Sequence, residues 1–366
     1  MPDRLERGWI GLAAGRIEFL RRSPPTVWKG DIYVPNLYVA PGFIDLQVNG
    51  GAGGNFNDAT LDEVIKIIEF HLSHGTTSLI ATFITAPVEI LRGAIEKIRA
   101  LRHPALCGAH LEGPFISSKL KGAHNPDYVL PVSLTVFEDL VGTQQNFIRI
   151  VTFAPELLGA DALLSAIVKI GSIPSLGHSD ATYDQTLSAL RNGARLFTHL
   201  GNAMSGLHHR EPGAVGAALD SDAYVELICD GVHLHPAFVR LVARVKGYDR
   251  ICLVTDAISA AGLPDGHYSL GGLSVLVRDG VARLPDGTLA GSTLTLDRAV
   301  KNFLEFTGCS LPEAVRCATL NPARLLGIDD RKGSLAVGKD ADLVIFDENF
   351  TVHYTILGGK IVYART

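Results

Sequence analysis

The sequence predicts a (β/α)8 barrel of the TIM type, flanked by a small β-sandwich that both ends of the chain build together. Three observations lead to this fold class. Short apolar runs recur eight times along the middle of the chain, segments with helical periodicity separate most of them, and both ends carry short strand patterns instead. Alternating strands and helices imply parallel pairing, and eight such units favour a closed barrel over an open doubly wound sheet.

The eight predicted barrel strands are the apolar runs themselves. They cover residues 43–47, 77–83, 105–111, 148–153, 173–176, 196–200, 225–229 and 252–255. Helical periodicity is clearest over residues 58–75, 86–103, 160–172 and 180–193. Two of these helices have candidate N-caps and C′ residues. They are Asp58 or Thr60 with Gly75, and Asp180 or Thr182 with Gly193.

The two chain ends predict a second, smaller unit. Residues 7–39 and 333–366 contain short strand patterns joined by turns, and neither end alone would bury enough surface to be stable. We therefore expect residues 1–40 and 334–366 to form one β-sandwich and residues 41–333 to form the barrel. The segment 266–293 carries a hairpin signal at Asp286-Gly287 and is expected to be a β insertion after the eighth strand.

Composition and charge exclude several classes of protein. The 366 residues are 47% hydrophobic and 19% charged, which is typical of a soluble globular protein. A net charge of −5 and the absence of long basic runs argue against a nucleic-acid partner. No apolar window approaches the roughly 18 residues of a membrane span, and the N-terminus lacks a signal-peptide core. The five cysteines form no CxxC pair, so we expect a cytoplasmic protein without disulfides.

Polar side chains follow the predicted strands at one end of the barrel, where (β/α)8 proteins carry their active sites. These residues are Gln47, Asn49, His110, Glu112, His178, His199, Asp230, His233 and Asp256. Each has a structural interpretation, since a lone histidine is usually a hydrogen-bonded core residue and a lone aspartate often caps the next helix. Their concentration at one rim is much less expected from structural roles alone.

Three of these residues form a plausible ligand set for a metal. Glu112, His178 and His199 offer the nitrogen and carboxylate ligands that suit zinc or iron(II), and a catalytic site typically has three protein ligands plus an open position. Asp256 then remains to move protons. The sequence therefore predicts one divalent metal ion, with zinc favoured and iron(II) or another divalent ion as alternatives.

The remaining polar candidates are weaker. His124 and Arg210 lie in loops that contain glycine and proline, where ligand contacts are common but solvated side chains are equally expected. The glycine-rich segment 50–55 lacks the pattern of a phosphate-binding loop. We expect His71, His74 and His103, on or near helix ends, to be surface residues. We expect His208 and His209, which neighbour Arg210, to be mostly structural or peripheral.

The motifs together resemble those of the N-acetylglucosamine-6-phosphate deacetylases, a family within the amidohydrolase superfamily. The matches run from about Pro41 to the C-terminus. The most particular are "HLEGP", "HLGNAM" followed by "REPG", and "DGVH", whereas "ATLNPARLLG" and "GSLAVGKDADLVIFD" recur across many amidohydrolases. The resemblance implies hydrolysis of N-acetyl-D-glucosamine 6-phosphate to D-glucosamine 6-phosphate and acetate, in amino-sugar catabolism or recycling.

The same resemblance implies roles for individual residues. Glu112, His178 and His199 would bind the metal, and Asp256 would be the catalytic base and acid. In the mechanism that follows from these roles, His233 would hydrogen-bond the carbonyl oxygen as it becomes an oxyanion. Arg210 aligns with a phosphate-binding arginine that can reach the neighbouring subunit's site, which implies a homodimer. The other implied substrate contacts are Ala123, His124, Asn202, Ala203, Asp230 and His233, with Leu289, Ala290 and Gly291.

Gln47 and Asn49 occupy positions where many metal-dependent hydrolases carry two histidines. Amides are weak, neutral ligands compared with imidazole, so a second metal ion is not expected at this strand. The prediction is a mononuclear site with Gln47 and Asn49 as its neighbours.

Two alternatives remain. One is an amidohydrolase acting on a cyclic amide or an N-acyl amino acid. Such enzymes usually show HxH after the first strand and often a bridging lysine, and this chain has neither feature at those positions. The other is a catalytically silent barrel that binds a sugar phosphate, which the presence of Asp256 beside a full ligand set disfavours.

Overall fold

A computed structural model of the chain describes residues 4–24 and 32–365. The strands are β1 Trp9–Ala13, β2 Arg16–Arg21, β3 Tyr38–Pro41, β4 Phe43–Val48, β5 Gly50–Gly51, β6 Gly54–Asn55, β7 Thr76–Ile84, β8 Leu106–Glu112, β9 Ile148–Phe153, β10 Ile173–Leu176, β11 Leu196–Phe197, β12 Tyr224–Leu227, β13 Ile251–Leu253, β14 Gly266–Leu270, β15 Leu273–Arg278, β16 Val281–Arg283, β17 Leu343–Phe346, β18 Val352–Leu357 and β19 Lys360–Ala364. The α-helices are α1 Leu61–Ser73, α2 Val88–Leu101, α3 Leu134–Val141, α4 Ala160–Lys169, α5 Tyr183–Arg191, α6 Gly213–Leu219, α7 Pro236–Lys246, α8 Leu296–Thr307, α9 Leu311–Cys317 and α10 Leu320–Leu326. Every helix among these residues is too short or too polar to cross a lipid bilayer.

Eight parallel strands form the central sheet, in the order β4-β7-β8-β9-β10-β11-β12-β13. Each overlaps one of the eight predicted apolar runs, and at least one helix lies between every two consecutive strands of this sheet along the chain. Strands β4, β7 and β10 are buried along their whole length, as expected for parallel strands covered on both faces. The predicted (β/α)8 fold class is confirmed.

The barrel closes between its first and last strands, β4 and β13. Val48 and Ala257 form a parallel bridge there. The backbone N–H of Asp256 donates to the Gln47 carbonyl at 2.9 Å, and that of Asn49 donates to the Ala257 carbonyl at 2.8 Å. The closing seam therefore holds the strand that carries the two amides directly against the chain that carries Asp256.

A buried carboxyl group, Asp45, reinforces this seam. It accepts the Thr255 hydroxyl at 2.6 Å, the Thr255 backbone N–H at 3.2 Å and the Gln47 backbone N–H at 3.3 Å. Burial raises the pKa of Asp45 to about 7, and the hydrogen bonds from Thr255 and Gln47 oppose that rise. Because the folded pKa lies above the unfolded one, ionisation of Asp45 costs stability progressively as the pH rises from about 4 to about 7.

We expect Asp45→Asn, which keeps the side-chain shape but cannot ionise, to remove that pH-dependent loss. The free energy of unfolding of Asp45→Asn minus that of the unsubstituted protein should increase as the pH rises from about 4 to about 7 and should then level off. For a shift of about 3 pKa units the change is on the order of 4 kcal/mol. Urea unfolding of the metal-free proteins at several pH values measures it, with the exposed Asp330→Asn as control. A difference between Asp45→Asn and the unsubstituted protein that does not vary with pH would contradict the raised pKa.

The helix boundaries follow the predicted signals. Thr60 and Thr182 are the N-caps of α1 and α5, and each forms a capping box with the residue three positions on. The threonine is thus the cap at both positions, in preference to the preceding aspartate. Gly75 and Gly193 follow the two helices with φ of +83° and +118°, a backbone conformation that favours glycine.

Both chain ends form antiparallel sheets beside the barrel. β3 pairs with β17 in a sheet of order β19-β18-β17-β3, and β1 and β2 form a separate hairpin. Ile17 of β2 is buried in one cluster with Leu343, Ile345 and Ile356 of the larger sheet. The predicted small β-sandwich built from both ends is confirmed, while its boundaries at residues 40 and 334 stay a prediction. Residues 1–3, 25–31 and 366 of that unit lie outside the described residues.

A three-stranded antiparallel sheet, β14-β15-β16, lies between β13 and α8. Its strands fall within the segment 266–293 for which the sequence predicts an insertion. Arg283 and Leu289 pair across the turn that contains Asp286 and Gly287. The sheet has its own small core, which includes Ile258 from the segment after β13 and Ala290. The insertion thereby fixes residues 289–291 beside the carboxyl end of the barrel.

Candidate active site

The three predicted metal ligands converge at the carboxyl end of the barrel. Glu112 ends β8, and His178 and His199 follow β10 and β11. The Nε2 atoms of His178 and His199 lie 3.2 and 2.9 Å from Glu112 Oε1. The two Nε2 atoms are 3.1 Å apart. All three side chains are buried, so they form one compact cluster at the carboxyl end of the barrel.

The donor set of this cluster fits a divalent cation. His178 Nδ1 lies 3.0 Å from the Leu120 carbonyl oxygen, which only accepts hydrogen bonds, so Nδ1 carries a proton. Nε2 is then the ring nitrogen that faces Glu112 Oε1 and the Nε2 atom of His199. A divalent cation can take the place of a proton between these groups, and nitrogen with carboxylate is the ligand combination that zinc and similar ions take.

His124 belongs to the same cluster. One ligand atom from each of Glu112, His124 and His178 lies within 4.8 Å of the others, and the His124 and His178 rings pack edge to face with centroids 4.5 Å apart. Burial and the neighbouring His178 lower the pKa of His124 to about 3, so its ring is neutral. This group of three contains His124 where the predicted ligand set has His199. His199 Nε2 lies only 2.9 Å from Glu112 Oε1, so His199 remains the stronger candidate ligand.

The pKa values of the two carboxyl groups of the site, Glu112 and Asp256, shift in opposite directions. Burial alone would raise the pKa of Glu112, but hydrogen bonds with His178 and His199 lower it well below its usual range. Burial, and then the charge of Glu112, raise the pKa of Asp256 to about 7. Glu112 is thus ionised, as a metal-binding carboxylate needs to be, whereas Asp256 exchanges protons near neutral pH, which is the property that a general base and acid needs.

The two amides of the first strand each donate to one of these carboxyl groups. Gln47 Nε2 lies 2.9 Å from Glu112 Oε1, and Asn49 Nδ2 lies 2.6 Å from Asp256 Oδ1. The oxygen atoms of both amides are buried and have no hydrogen-bond partner in the described part of the chain. The structure thus places Gln47 and Asn49 beside the cluster as hydrogen-bond donors, where the sequence predicts neighbours of the metal.

Strained backbone marks three of the candidate metal-binding and catalytic residues. His178, His199 and Asp256 have φ of +48°, +32° and +50°, in a region that non-glycine residues rarely adopt. Such residues persist where the surrounding structure enforces them, and they concentrate at functional sites. The backbone turns sharply at each strand end and directs these side chains into the site.

Asp230 and His233 form a hydrogen-bonded pair in the loop after β12. His233 Nδ1 lies 2.6 Å from Asp230 Oδ2, and Asp230 Oδ1 accepts the backbone N–H groups of Val232 and His233 at 2.8 Å each. Burial alone would raise the pKa of Asp230, but the hydrogen bond from His233 lowers it. The aspartate fixes the imidazole orientation, and His233 is close enough to lower the pKa of Asp256.

The loop after His199 carries two more predicted contacts. Asn202 donates to the His199 carbonyl from its backbone N–H at 3.0 Å and from Nδ2 at 3.1 Å. The Ala203 carbonyl accepts the Ser179 N–H at 3.0 Å, and Ala203 has φ of +49°. The Asn202 bonds hold the loop after His199 in shape, and the Ser179–Ala203 bond ties that loop to the one that follows His178.

The insertion brings the last predicted contacts to the rim. Ala290 is fully buried, and Ala123 packs against the same cluster. A Cβ atom on Gly291, at φ of +57°, would lie 2.8 Å from the Asp256 carbonyl oxygen, so the backbone there passes directly against the catalytic candidate. Leu289 pairs with Arg283 at the edge of the insertion.

Arg210, the predicted phosphate-binding residue, does not contact the cluster of Glu112, His178 and His199 in its own chain. It lies in the exposed loop between β11 and α6, where its Nη1 is 2.8 Å from His209 Nε2. The rings of His208 and His209 pack together with centroids 4.2 Å apart. Within the described residues, no hydrogen bond or ion pair joins Arg210 to the metal-ligand candidates.

The expectation that His71 lies on the surface is wrong. Its side chain is fully buried, and Nε2 lies 3.0 Å from the Gly50 carbonyl oxygen in the glycine-rich loop. Burial lowers the pKa of His71 to about 4. His74 and His103 are half-buried. The periodicity of α1 could have revealed His71, because it continues the buried face of Val64, Ile67 and Ile68.

His110 and Glu226 are fully buried. His110 Nε2 lies 2.7 Å from the Thr152 hydroxyl, which in turn contacts the Thr198 hydroxyl at 2.6 Å. Glu226 lies in β12 among apolar residues, so no feature of its local sequence distinguishes it as part of a site.

The sequence profile of the amidohydrolase family matches residues 38–362, and the chain belongs to that family. It is therefore a hydrolase that cleaves amide bonds, built on a (β/α)8 barrel. Its curated relatives include an N-acetylgalactosamine-6-phosphate deacetylase from Escherichia coli, 38% identical over 97% of this chain and 96% of the relative. They also include an N-acetylglucosamine-6-phosphate deacetylase from Bacillus subtilis, 38% identical over 98% of this chain and 93% of the relative.

Solved structures agree with this placement. The chain superposes with a TM-score of 0.95 on a variant of N-acetyl-D-glucosamine-6-phosphate deacetylase from Mycobacterium smegmatis in complex with N-acetyl-D-glucosamine-6-phosphate, at 37% identity and with 99% and 97% of the two chains covered. For the Thermotoga maritima N-acetylglucosamine-6-phosphate deacetylase the TM-score is 0.88, at 39% identity and with 97% and 95% covered. Within the amidohydrolases, the chain therefore groups with the N-acetylglucosamine-6-phosphate deacetylases, as its motifs predict.

Proposed function

We propose that this chain is a metal-dependent deacetylase that hydrolyses N-acetyl-D-glucosamine 6-phosphate to D-glucosamine 6-phosphate and acetate. The observation that carries the proposal is the pairing of an ionised Glu112, in contact with His178 and His199, with a neighbouring Asp256 whose pKa is about 7. The relative from Mycobacterium smegmatis, solved with N-acetyl-D-glucosamine-6-phosphate, supports the substrate.

In this proposal Glu112, His178 and His199 hold one divalent ion, with zinc favoured and iron(II) or another divalent ion as alternatives. When bound, the ion supplies Lewis-acid chemistry, which acidifies water and polarises a carbonyl oxygen. Gln47 keeps Glu112 oriented through its 2.9 Å hydrogen bond. The Leu120 carbonyl does the same for His178 by fixing its tautomer.

Asp256 moves the protons of the reaction. It accepts a proton from water as the water oxygen attacks the acetamide carbon, and it then delivers that proton to the nitrogen as the C–N bond breaks. Asn49 holds Oδ1 of Asp256 at 2.6 Å, which leaves Oδ2 as the atom that exchanges protons. His233, oriented by Asp230 and donating from Nε2 when protonated, stabilises the negative charge that develops on the carbonyl oxygen.

The remaining predicted residues position the sugar phosphate. Ala123, His124, Asn202 and Ala203, with the backbone of residues 289–291, contact the sugar. Arg210 binds the phosphate of the neighbouring subunit's substrate, so the active form is a homodimer. The protein acts in the cytoplasm, as its sequence predicts. The exposed position of Arg210, away from the metal-ligand candidates of its own chain, is what an arginine in that role requires.

We expect Arg210→Ala to raise KM for the phosphorylated sugar about 10- to 100-fold with a smaller change in kcat, because a hydrogen bond to a charged group contributes about 1.5–3 kcal/mol. Arg210→Lys should recover only part of the loss, since lysine lacks the planar fork of donors. Steady-state kinetics measure both effects, with the exposed Arg244→Ala on α7 as control. An unchanged KM in Arg210→Ala would remove this residue from the phosphate site.

The relative named for the galactosamine derivative makes the 4-epimer a second candidate substrate for the same reaction. The test is to measure kcat/KM for acetate release from the 6-phosphates of N-acetylglucosamine and N-acetylgalactosamine in parallel. We expect the glucosamine derivative to be preferred and the unphosphorylated sugar to react poorly. A higher kcat/KM for the galactosamine derivative would reassign the substrate and leave the chemistry intact.

A further inference from the structure

A buried glutamate, Glu226, contacts the backbone of His199, one of the candidate metal ligands. It lies in β12, adjacent to β11, and its side chain is fully buried. Glu226 Oε2 accepts the backbone N–H of His199 at 3.3 Å, and the Glu226 carbonyl accepts the N–H of Leu200 at 2.9 Å. The carboxyl group thus holds the backbone of His199 at the point where φ is +32°.

Each of the two residues also carries a buried polar atom without a partner. These atoms are Glu226 Oε1 and His199 Nδ1, and neither has a hydrogen bond in the part of the chain that the structure describes. A buried polar atom left unpaired costs about 1–3 kcal/mol, so such atoms call for an explanation. Here the two atoms belong to residues that are already hydrogen-bonded to each other. Oε1 is an acceptor in the ionised carboxylate, and Nδ1 is a potential donor.

The chemistry of the ligand cluster determines which tautomer His199 needs. Its Nε2 faces Glu112 and His178, so binding a metal through Nε2 places the ring proton on Nδ1. That N–H is buried and requires an acceptor. His178 has the same requirement and meets it with the Leu120 carbonyl at 3.0 Å, whereas His199 lacks a comparable backbone partner among the described residues.

The groups around Glu226 leave His199 Nδ1–H as the best available donor to Glu226 Oε1. The charged groups that interact with Glu226 electrostatically are the carboxyl groups of Glu112, Asp45 and Asp256. None of the three carboxyl groups forms a hydrogen bond with Oε1 in the described part of the chain. The neighbour on the other side, Cys252 of β13, offers only a weak donor.

We propose that Glu226 is a positioning residue for the metal site, which holds His199 through its backbone N–H and, when the ion is bound, through Nδ1–H as well. The inference rests on the proposed function, in which Glu112, His178 and His199 bind the ion. Carboxylate groups commonly orient metal-binding histidines in this way, and their loss typically lowers metal affinity 10- to 100-fold.

The test is a Zn²⁺ titration against a chromophoric chelator, for the unsubstituted protein and three variants. Glu226→Leu removes both acceptors and should weaken Zn²⁺ binding about 10- to 100-fold. Glu226→Gln keeps one acceptor oxygen and should fall between Glu226→Leu and the unsubstituted protein. Ser172→Ala, which removes another buried hydrogen bond (2.6 Å to the Ile148 carbonyl) at the far end of the barrel, should bind Zn²⁺ normally.

A Glu226→Leu protein that folds and binds Zn²⁺ within about twofold of the unsubstituted protein would overturn the inference. So would an equally large loss in Ser172→Ala, because that would indicate a general packing effect. If the unsubstituted protein itself does not bind Zn²⁺ or another divalent ion, the proposed function fails instead, so the two failures are distinguishable.

A measurement on the unsubstituted protein covers the case in which Glu226→Leu does not fold. In the Zn²⁺-loaded protein labelled with ¹⁵N-histidine, the His199 signal should show a protonated Nδ1 whose proton exchanges slowly with water. Coordination of Zn²⁺ through Nδ1 of His199, or rapid exchange of that proton, would contradict the role of Glu226.

Discussion

Asp256→Asn is expected to lower kcat for acetate release by about 10²- to 10⁴-fold while the bound metal is retained. General acid–base catalysis contributes rate factors of this size. The asparagine oxygen still accepts the hydrogen bond from Asn49, which is 2.6 Å long in the unsubstituted protein, so the site keeps its shape. The amide cannot take a proton from water, so the loss reports on proton transfer.

Two measurements on the same sample decide this prediction. Acetate release gives kcat, and elemental analysis gives the metal content per chain. Asp330→Asn, which changes an exposed aspartate outside the site, is the control. Turnover close to normal in Asp256→Asn would exclude Asp256 as the base, and loss of the metal would indicate a ligand instead.

Glu112→Gln is expected to weaken metal binding more than 100-fold, a larger loss than the 10- to 100-fold typical of residues that only orient a ligand. Glu112 is the single carboxylate in the predicted ligand set, and both candidate histidines contact its Oε1. Replacing it by an amide removes the negative charge that a divalent cation needs. Acetate release should fall in parallel with metal occupancy.

Gln47→Ala is the matched comparison for Glu112→Gln. Gln47 donates to the same Glu112 oxygen at 2.9 Å but is predicted to lie beside the metal, not on it. We therefore expect a smaller loss of affinity in Gln47→Ala. An equal or larger loss in that variant would show that the amide is itself a ligand and that the ligand set is wrong. Thermal unfolding of the metal-free proteins controls for misfolding.

The sequence was most informative about the barrel and its rim. Each barrel strand is a short apolar run bounded by polar residues or glycine, so its position can be read locally. Because parallel strands of a barrel point the same way, the residues that follow them must gather at one end. This argument alone brings Glu112, His178, His199 and Asp256 together, and the structure places Glu112 in direct contact with both histidines.

Features that depend on tertiary contacts were not predictable. The positive φ of His178, His199 and Asp256 is imposed by the loops that pack around the strand ends and has no local sequence signal. Glu226 is hidden in an apolar strand, and its relation to His199 arises only because β11 and β12 are neighbours.

His71 was missed for a different reason. Its position near the end of α1 suggested an exposed residue, but the apolar face of that helix extends one turn further and buries it against Gly50.

Acetate release from N-acetyl-D-glucosamine 6-phosphate, measured before and after metal removal, tests the central claim most directly. The protein is treated with a chelator, assayed, reloaded with Zn²⁺ or Fe²⁺ and assayed again, with N-acetylglucosamine and an N-acetyl amino acid as comparison substrates. We predict that turnover of the sugar phosphate is lost with the metal, returns with it, and exceeds turnover of both comparison substrates. A metal-loaded protein that releases no acetate from the sugar phosphate, or that prefers the N-acetyl amino acid, would contradict the proposed function.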